Sequence, residues 1–189
     1  MALITTDVLK TDWLNIPISD TSRDATLARW TAQAEALCKG ICKQPIAQEA
    51  KTIYFDNQNG LRYNTGYTVP ITLTSLSYRE YPTDSWTALT GAVVDRFSVY
   101  HEDGFTYPQY KLVANIGYTI SDVPADIQLA IAMLVVNAYK KSETQDRAGS
   151  IGVSSVSTSR SGETTVTVSM KDITPEIKQI LQPYKVMFF

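Results

Sequence analysis

The sequence predicts an α+β fold: a small helical bundle of about four helices with an inserted antiparallel β-sheet and a long β-hairpin-like arm before the C-terminal helix. Three observations predict it. Apolar residues recur at helical spacing near both ends of the chain. The middle is rich in β-branched and aromatic residues at period two. A Ser/Thr-rich stretch separates the last two predicted helices.

The chain has 189 residues, which suits one domain with a real core. We expect a single domain over 1–189. Within it, residues 1–45 and 120–189 form the helical bundle and residues 46–119 form the β insertion. Residues 149–170 are expected to be a flexible Ser/Thr arm.

Two helices are predicted before the β insertion, over about 7–14 and 20–42. Thr6 is expected to cap the first helix, because threonine is a good N-cap residue. Asp20 or Ser22 is expected to cap the second. The second helix carries one apolar stripe at spacings of three and four residues, formed by Leu27, Trp30, Ala34, Leu37 and Ile41.

The middle of the chain reads as short strands joined by turns. The segment Ile71–Tyr78 alternates apolar and polar residues, as a half-buried strand does. Asn57–Gly60 is a turn signal. The full set of predicted strands is Thr52–Phe55, Ile71–Tyr78, Ser85–Leu89, Val93–Tyr100 and Tyr110–Ile116.

The third helix is predicted over about 124–144, with Pro124 in its first turn. Its apolar residues spread round most of the cylinder, so we expect it to be buried on most sides and central to the domain. A short fourth helix is predicted over 174–183. Six residues of these helices are expected to be core: Leu27, Trp30, Leu37, Ile127, Ile131 and Leu134.

The stretch 149–169 holds eleven serine and threonine residues. Four valines in a loosely alternating pattern flank a turn predicted near Ser161-Gly162. An isolated two-stranded hairpin is marginally stable in water. We therefore expect this arm to pair with a neighbouring subunit through its valines, Val153, Val156, Val166 and Val168.

Composition excludes several classes of function. The formal net charge is −2, so the chain has no broad basic surface for neutralising phosphates. No apolar run approaches the ~20 residues of a membrane-spanning helix, and no signal peptide is recognised at the N-terminus. Two cysteines are too few for a disulfide scaffold. We expect a protein made and used in a cytoplasm, with no membrane partner.

No set of residues has the pattern of an active site. His101 is the only histidine, and we expect it to be a surface turn residue. Cys38 and Cys42 lie four residues apart on a helix, but the further ligands of a closed zinc site are missing. The pairs Glu102-Asp103 and Asp122/Asp126 are explained by turn formation and by the helix dipole. We expect no catalytic residue, cofactor or metal, and no enzyme activity.

Aromatic residues and the last few residues are more informative. Eleven tyrosines and three tryptophans fit either strand packing or a protein–protein interface. After Pro183 the chain continues with an apolar segment. That segment either folds back onto the core or inserts into a partner protein. Its proposed binding residues are Tyr184, Val186, Met187, Phe188 and Phe189.

The order of these elements resembles the head–tail connector (adaptor) proteins of tailed bacteriophages. The residues that carry the resemblance are Ile4–Lys10, the helix ending near Pro45-Ile46, Val123–Ile127 opening an apolar helix, and Ile180–Lys185. The β insertion and the Ser/Thr stretch are longer here than in the shorter members.

The resemblance implies a structural virion protein of the neck, assembled in the host cytoplasm. Twelve or so copies would form a ring beneath the portal, the C-terminal segment would contact the portal protein, and loops would contact the tail or a stopper ring. Double-stranded DNA would pass without specific binding. A tail-terminator or head-stopper ring protein, expected to be mostly β, is one alternative. A small enzyme or accessory factor with a site between subunits is another.

Overall fold

The computed structural model describes residues 2–57, 59–148 and 173–186. By their internal contacts the residues form two compact units. The helical unit comprises Ala2–Ile41 and Val123–Pro183, and the β unit comprises Cys42–Asp122 and Tyr184–Phe189. The predicted α+β class is confirmed.

Four helices are observed in the part of the chain that the structure describes. The first, α1, is short (Thr6–Val8) and continues directly as a π-helix over Leu9–Leu14. The others are α2 (Asp24–Cys42), α3 (Ala125–Ala148) and α4 (Pro175–Leu181), with a 3₁₀ turn over Gln182–Tyr184. Among the described residues, none of these helices has the length and apolar character needed to cross a bilayer.

The observed caps differ from the predicted ones at two helices. Thr5, not Thr6, caps α1, and its side chain accepts a hydrogen bond from the Val8 amide. Asp20 and Ser22 do not cap α2, which begins only at Asp24. Instead the Asp20 carboxylate accepts hydrogen bonds from the Ser22 amide and hydroxyl. These bonds form a local turn ahead of the helix, and they lower the pKa of Asp20.

The buried stripe of α2 is rotated from the predicted one. Leu27, Trp30 and Ala34 are buried as expected, but Leu37 and Ile41 are only half-buried. Cys38 and Cys42 continue the stripe instead, each with no exposed surface. Residues on one face of a helix are spaced three or four positions apart, so the stripe can continue from Ala34 to either Leu37 or Cys38. The sequence pattern therefore did not decide which of these two residues is buried.

The third helix is buried on most sides, as predicted. From Val123 to Tyr139 only Ala125 and Asp126 are exposed. It packs against α4 and against the π-helix. Five of the six predicted core residues are buried: Leu27, Trp30, Ile127, Ile131 and Leu134.

The β unit contains two antiparallel sheets. Its strands are β1 (Glu49–Asp56), β2 (Arg62–Asn64), β3 (Ile71–Arg79), β4 (Thr87–Ala88), β5 (Val93–Asp95), β6 (Ser98–Tyr100) and β7 (Gln109–Ile116). The larger sheet has the order β1-β7-β3-β4, and the smaller has the order β2-β6-β5. The insertion is therefore two sheets and not the one that the sequence predicts.

Two of the predicted strands, Ile71–Tyr78 and Tyr110–Ile116, match β3 and β7 to within one residue, and Thr52–Phe55 lies within β1. Ser85–Leu89 shortens to the two residues of β4. Val93–Tyr100 is not continuous, because Arg96 adopts a φ of 58° and turns the chain into the β5–β6 hairpin. The strand β2 was not predicted from the sequence, because three residues are too few to show an alternation of apolar and polar side chains.

The core of the β unit lies under one face of the larger sheet. Along β7 the side chains alternate half-buried and buried, and the buried ones are Tyr110, Leu112, Ala114 and Ile116. They pack with Phe55, Val99 and Phe105. Gly117 follows β7 at a φ of 118°, where a Cβ atom would lie 2.6 Å from the Ala47 carbonyl oxygen. Only glycine fits this close approach of two backbones.

Candidate interaction surfaces

A first candidate surface lies where the C-terminal segment returns to the β unit. The Val186 amide donates to the Cys42 carbonyl oxygen at 3.0 Å. The buried Gln44 side chain donates to the Tyr184 carbonyl oxygen at 2.6 Å and to the Thr68 hydroxyl at 2.7 Å. Its amide oxygen accepts from the Thr68 amide at 2.9 Å. Gln44 thus links its own segment to the segments that contain Thr68 and Tyr184. We call the arrangement of Cys42, Gln44, Thr68, Tyr184 and Val186 the Gln44 clamp.

The surroundings of the clamp are apolar enough to keep its ionisable groups neutral. Burial raises the pKa of the Cys42 thiol to about 11. Burial also raises the pKa of Tyr118, and the neighbouring Tyr184 and Cys42 act in the same direction. Desolvation disfavours the charged form of each group. The clamp is therefore a packing and hydrogen-bonding device with no reactive thiolate.

Of the predicted portal-binding residues, Tyr184 and Val186 lie at this clamp and are half-buried in the chain's own β unit. Met187, Phe188 and Phe189 lie outside the described residues. So do the four valines of the predicted arm, Val153, Val156, Val166 and Val168.

A second candidate surface lies on the other face of the larger sheet. A groove of about 310 Å³ opens there, near the end of β1 and the start of β7. The sheet register places Lys111 opposite Tyr54 on β1 and opposite Ser77 on β3. The residues lining the groove are Tyr54, Phe55, Asp56, Arg79, Trp86, Gln109 and Tyr110.

Trp86 is the centre of this groove. The Arg79 guanidinium lies over its ring at 4.6 Å, and the Lys111 ammonium lies 5.9 Å from the ring centroid. The Tyr54 ring centroid is 5.8 Å from that of Trp86, and 65% of that tyrosine is exposed. Cations over an indole face are attracted by its quadrupole. We call Tyr54, Arg79, Trp86 and Lys111 the Trp86 cluster.

Arg79 is held rigidly within the cluster. Its Nε donates to the Gln109 side-chain oxygen at 2.8 Å, and its Nη1 donates to the Pro82 carbonyl oxygen at 2.6 Å. The guanidinium plane is thereby fixed before any partner arrives. A preorganised site loses less side-chain entropy on binding.

The structure corrects the prediction for His101. The residue lies in a turn, as expected, but it is buried with 5% exposure and not at the surface. Its Nε2 lies 3.0 Å from the Thr90 carbonyl oxygen, so the ring ties two loops together. Among the described residues there is no cluster of three or more histidine, cysteine or acidic side chains that could hold a metal ion.

Sequence reasoning missed both surfaces as defined sites. The excess of tyrosine and tryptophan indicates an interface or strand packing, but no feature of the sequence near Trp86 predicts that Arg79 and Lys111 are its neighbours. The four residues of the Trp86 cluster come from β1, β3, β7 and the residue before β4, so only the strand order brings them together. Nothing in the sequence indicates that Gln44 is buried and hydrogen-bonded, because a single glutamine after a helix is common in exposed loops.

The fold is similar to that of chains in two solved particle structures. The chain is similar to a chain in the neck of an empty gene transfer agent (GTA) particle computed with C6 symmetry, with a TM-score of 0.60 and 13% identity over 99% of this chain and 91% of that chain. It is also similar to a chain in the virion of a native GTA particle, with a TM-score of 0.53 and 12% identity over 97% and 89%. No curated protein matches the chain. The family model of the head completion protein matches residues 2–187, nearly the whole length. The chain therefore belongs to the head completion protein family.

Proposed function

We propose that the chain is a structural subunit of the neck of a virion, where copies of it form a ring that joins the portal at the head to the tail or the next connector ring. The observation that carries this proposal is the match of the head completion protein family over residues 2–187.

The structural likenesses support a ring. One of the similar chains belongs to a neck computed with sixfold symmetry, and a ring of twelve copies, as the resemblance to connector proteins implies, is compatible with that symmetry. Closed cyclic symmetry needs a heterologous contact, in which one surface of each copy meets a different surface of the next. The proposed partners are other copies of this chain, the portal protein, and a tail or stopper protein.

The helices favour a connector over a tail-terminator or head-stopper protein. A tail-terminator or stopper protein was expected to be mostly β, whereas α2 has 19 residues and α3 has 24. Passage of DNA through the ring would benefit from weak contact. A net charge of −2 disfavours adhesion to the phosphate backbone.

The portal contact is proposed for the C-terminal segment, at Tyr184, Val186 and Met187 to Phe189. Val186 is bonded to Cys42 at the Gln44 clamp. A chain spans at most about 3.6 Å per residue, so Phe189 lies within about 11 Å of Val186. If the segment docks onto the portal, the portal must therefore approach the clamp end of the β unit.

The contact between copies is proposed for the arm over 149–170. Its valines gain burial only where a partner covers them. Amide hydrogen exchange over 150–169 should be fast in the free subunit and slow in the ring. Fast exchange in both states would mean that the segment is a plain linker.

Imaging tests the proposal as a whole. Electron microscopy of the purified protein at high concentration, or of disrupted particles, should show rings with a central channel. Antibody labelling of intact particles should mark the junction of head and tail. Particles that carry the chain at another position, or not at all, would contradict the proposed function.

A further inference from the structure

We propose that the Trp86 cluster is the docking site for a carboxylate-bearing polypeptide segment of the next neck or tail protein, on the side of the ring away from the portal. The inference rests on the proposed function, because it assigns a surface to a partner that a neck connector must have. It concerns residues of the β unit alone.

The first support is the composition of the groove. Tyrosine, tryptophan and arginine are the residue types that dominate the binding energy of protein interfaces. Here two tyrosines, a tryptophan and an arginine line a groove of about 310 Å³, with Tyr54 mostly exposed and Trp86 half-buried. An apolar side chain entering this groove would be covered by two aromatic rings. Arg79, fixed by Gln109 and Pro82, needs little reordering.

The second support is charge. Arg79 and Lys111 bring two cations to one aromatic ring. Lys111 forms no ion pair with any residue that the structure describes, and its neighbours across the sheet are Tyr54 and Ser77, which are uncharged. A carboxylate placed beside Lys111 would add a counter-ion to a groove whose lining includes a single acidic side chain, Asp56. Charge complementarity of this kind steers association and fixes register.

The size of the cationic site argues for a polypeptide over nucleic acid. Single-stranded DNA is held by a groove that follows several phosphates along the backbone. The Trp86 cluster offers two cations, with the Asp56 carboxylate lining the same groove. One or two carboxylates fit that pattern, and a string of phosphates does not.

The third support is position within the sheet. The Gln44 clamp lies beside the Glu49 end of β1, where Tyr118 bonds to Ile46 and Gln48. The groove lies at the Asp56 end. Seven residue steps of about 3.4 Å separate the two ends by about 24 Å. A segment docked at the clamp therefore leaves the Trp86 cluster open for a second, different component.

Charge reversal of Lys111 tests the inference. Particles carrying Lys111→Glu should retain the ring and package DNA, while the yield of tailed particles falls at least tenfold. Lys140→Glu is the matched control: it changes net charge equally, at an exposed position on α3 outside the β unit. It should leave tail joining unchanged. Trp86→Phe, which keeps an aromatic ring, should reduce joining less than Trp86→Ala.

Suppressor selection then identifies the occupant. Second-site changes that restore joining to Lys111→Glu particles should replace an acidic residue by lysine or arginine in a different particle protein.

Suppressors within this chain, or loss of the ring in Lys111→Glu particles alone, would assign the surface to contacts between copies and overturn the inference. Normal tail joining would overturn it too. So would duplex or single-stranded DNA binding by wild-type rings that Lys111→Glu abolishes. A wild-type neck that lacks the chain would instead contradict the proposed function.

Discussion

At the scale of single residues, the ionisable side chains of this chain are distinguished by burial and not by reactivity. The two thiols, the only histidine and several tyrosines lie in apolar surroundings. Burial raises the pKa of Tyr63, Tyr110 and Tyr139 as it does that of Tyr118. Buried side chains of this kind serve packing and hydrogen bonding.

The thiols should be inert in the folded protein. Cys38 and Cys42 have no exposed surface, and the pKa of Cys42 is raised to about 11. At pH 8 only about one Cys42 in a thousand would be a thiolate, the form that reacts. A colorimetric thiol reagent should therefore label neither cysteine within an hour in buffer. It should label both at once in denaturant, which serves as the control. Rapid labelling of one thiol in buffer would contradict the burial.

Glu35 should make stability depend on pH. Burial raises the pKa of its carboxyl above 4.5, although the Leu3 amide donates to it at 2.5 Å. The folded state then binds the proton more tightly than the unfolded state, so stability falls as pH rises through the window above 4.5. Glu35→Gln keeps the acceptor oxygen without the charge. It should raise the denaturation midpoint at pH 7 and leave it unchanged at pH 3. A lower midpoint at pH 7 would show that the charge itself is stabilising.

Among the elements, the π-helix after α1 is the least expected. It carries Lys10, which is 1% exposed yet charged. The Lys10 ammonium pairs with the Asp24 carboxylate in the first turn of α2 and donates to the Ile18 carbonyl oxygen at 3.4 Å. One buried cation thus holds the start of α2 and the loop before it. Buried ionic groups are stable only when paired in this way.

The two partners of this ion pair should respond unequally to mutation. Asp24→Ala leaves the Lys10 ammonium buried without its counter-ion, and we expect a loss of about 3–5 kcal/mol of unfolding free energy. Lys10→Met leaves the Asp24 Oδ1 buried, but the side chain is 39% exposed, so its carboxylate can still be hydrated through Oδ2. We expect that change to cost about 1 kcal/mol or less. Urea denaturation of both variants measures the difference. Equal losses would mean that Lys10 reaches water once its partner is removed.

At the scale of the whole molecule, the C-terminal segment has a part in both the folding of the subunit and its proposed assembly into the neck. Its backbone is bonded at the Gln44 clamp, while its last residues are proposed to bind the portal. Two phenylalanines and a methionine would each contribute about 1.5–3 kcal/mol if fully buried. Summed over a ring, a modest gain per copy becomes strong avidity, provided that all copies engage together.

Truncation separates these two roles. A chain ending at Val186 keeps the bond to Cys42 and should melt like the full chain. A chain ending at Lys185 loses that bond, and we expect it to remain folded with a loss of about 1 kcal/mol. Both should yield heads that lose DNA or fail to join tails. Infectious particles from either truncation would exclude the portal contact, and unfolding of the chain ending at Val186 would place residues 187–189 in the subunit's own core.

The sequence by itself determined the class of fold, the presence of the four described helices and the extents of β3 and β7, because periodicity and turns are local properties of the chain. It also determined that α3 would be buried on most sides. It did not determine which row of α2 is buried, since Leu37 and Cys38 fit a helical stripe equally well. It did not determine the burial of His101 or Lys10, which depends on loops and helices distant in the chain. The Trp86 cluster and the Gln44 clamp were decided only by tertiary structure. Strand pairing brings the β1, β3 and β7 residues of the cluster together, and side-chain hydrogen bonds join Gln44 to residues 24 and 140 positions away in the sequence.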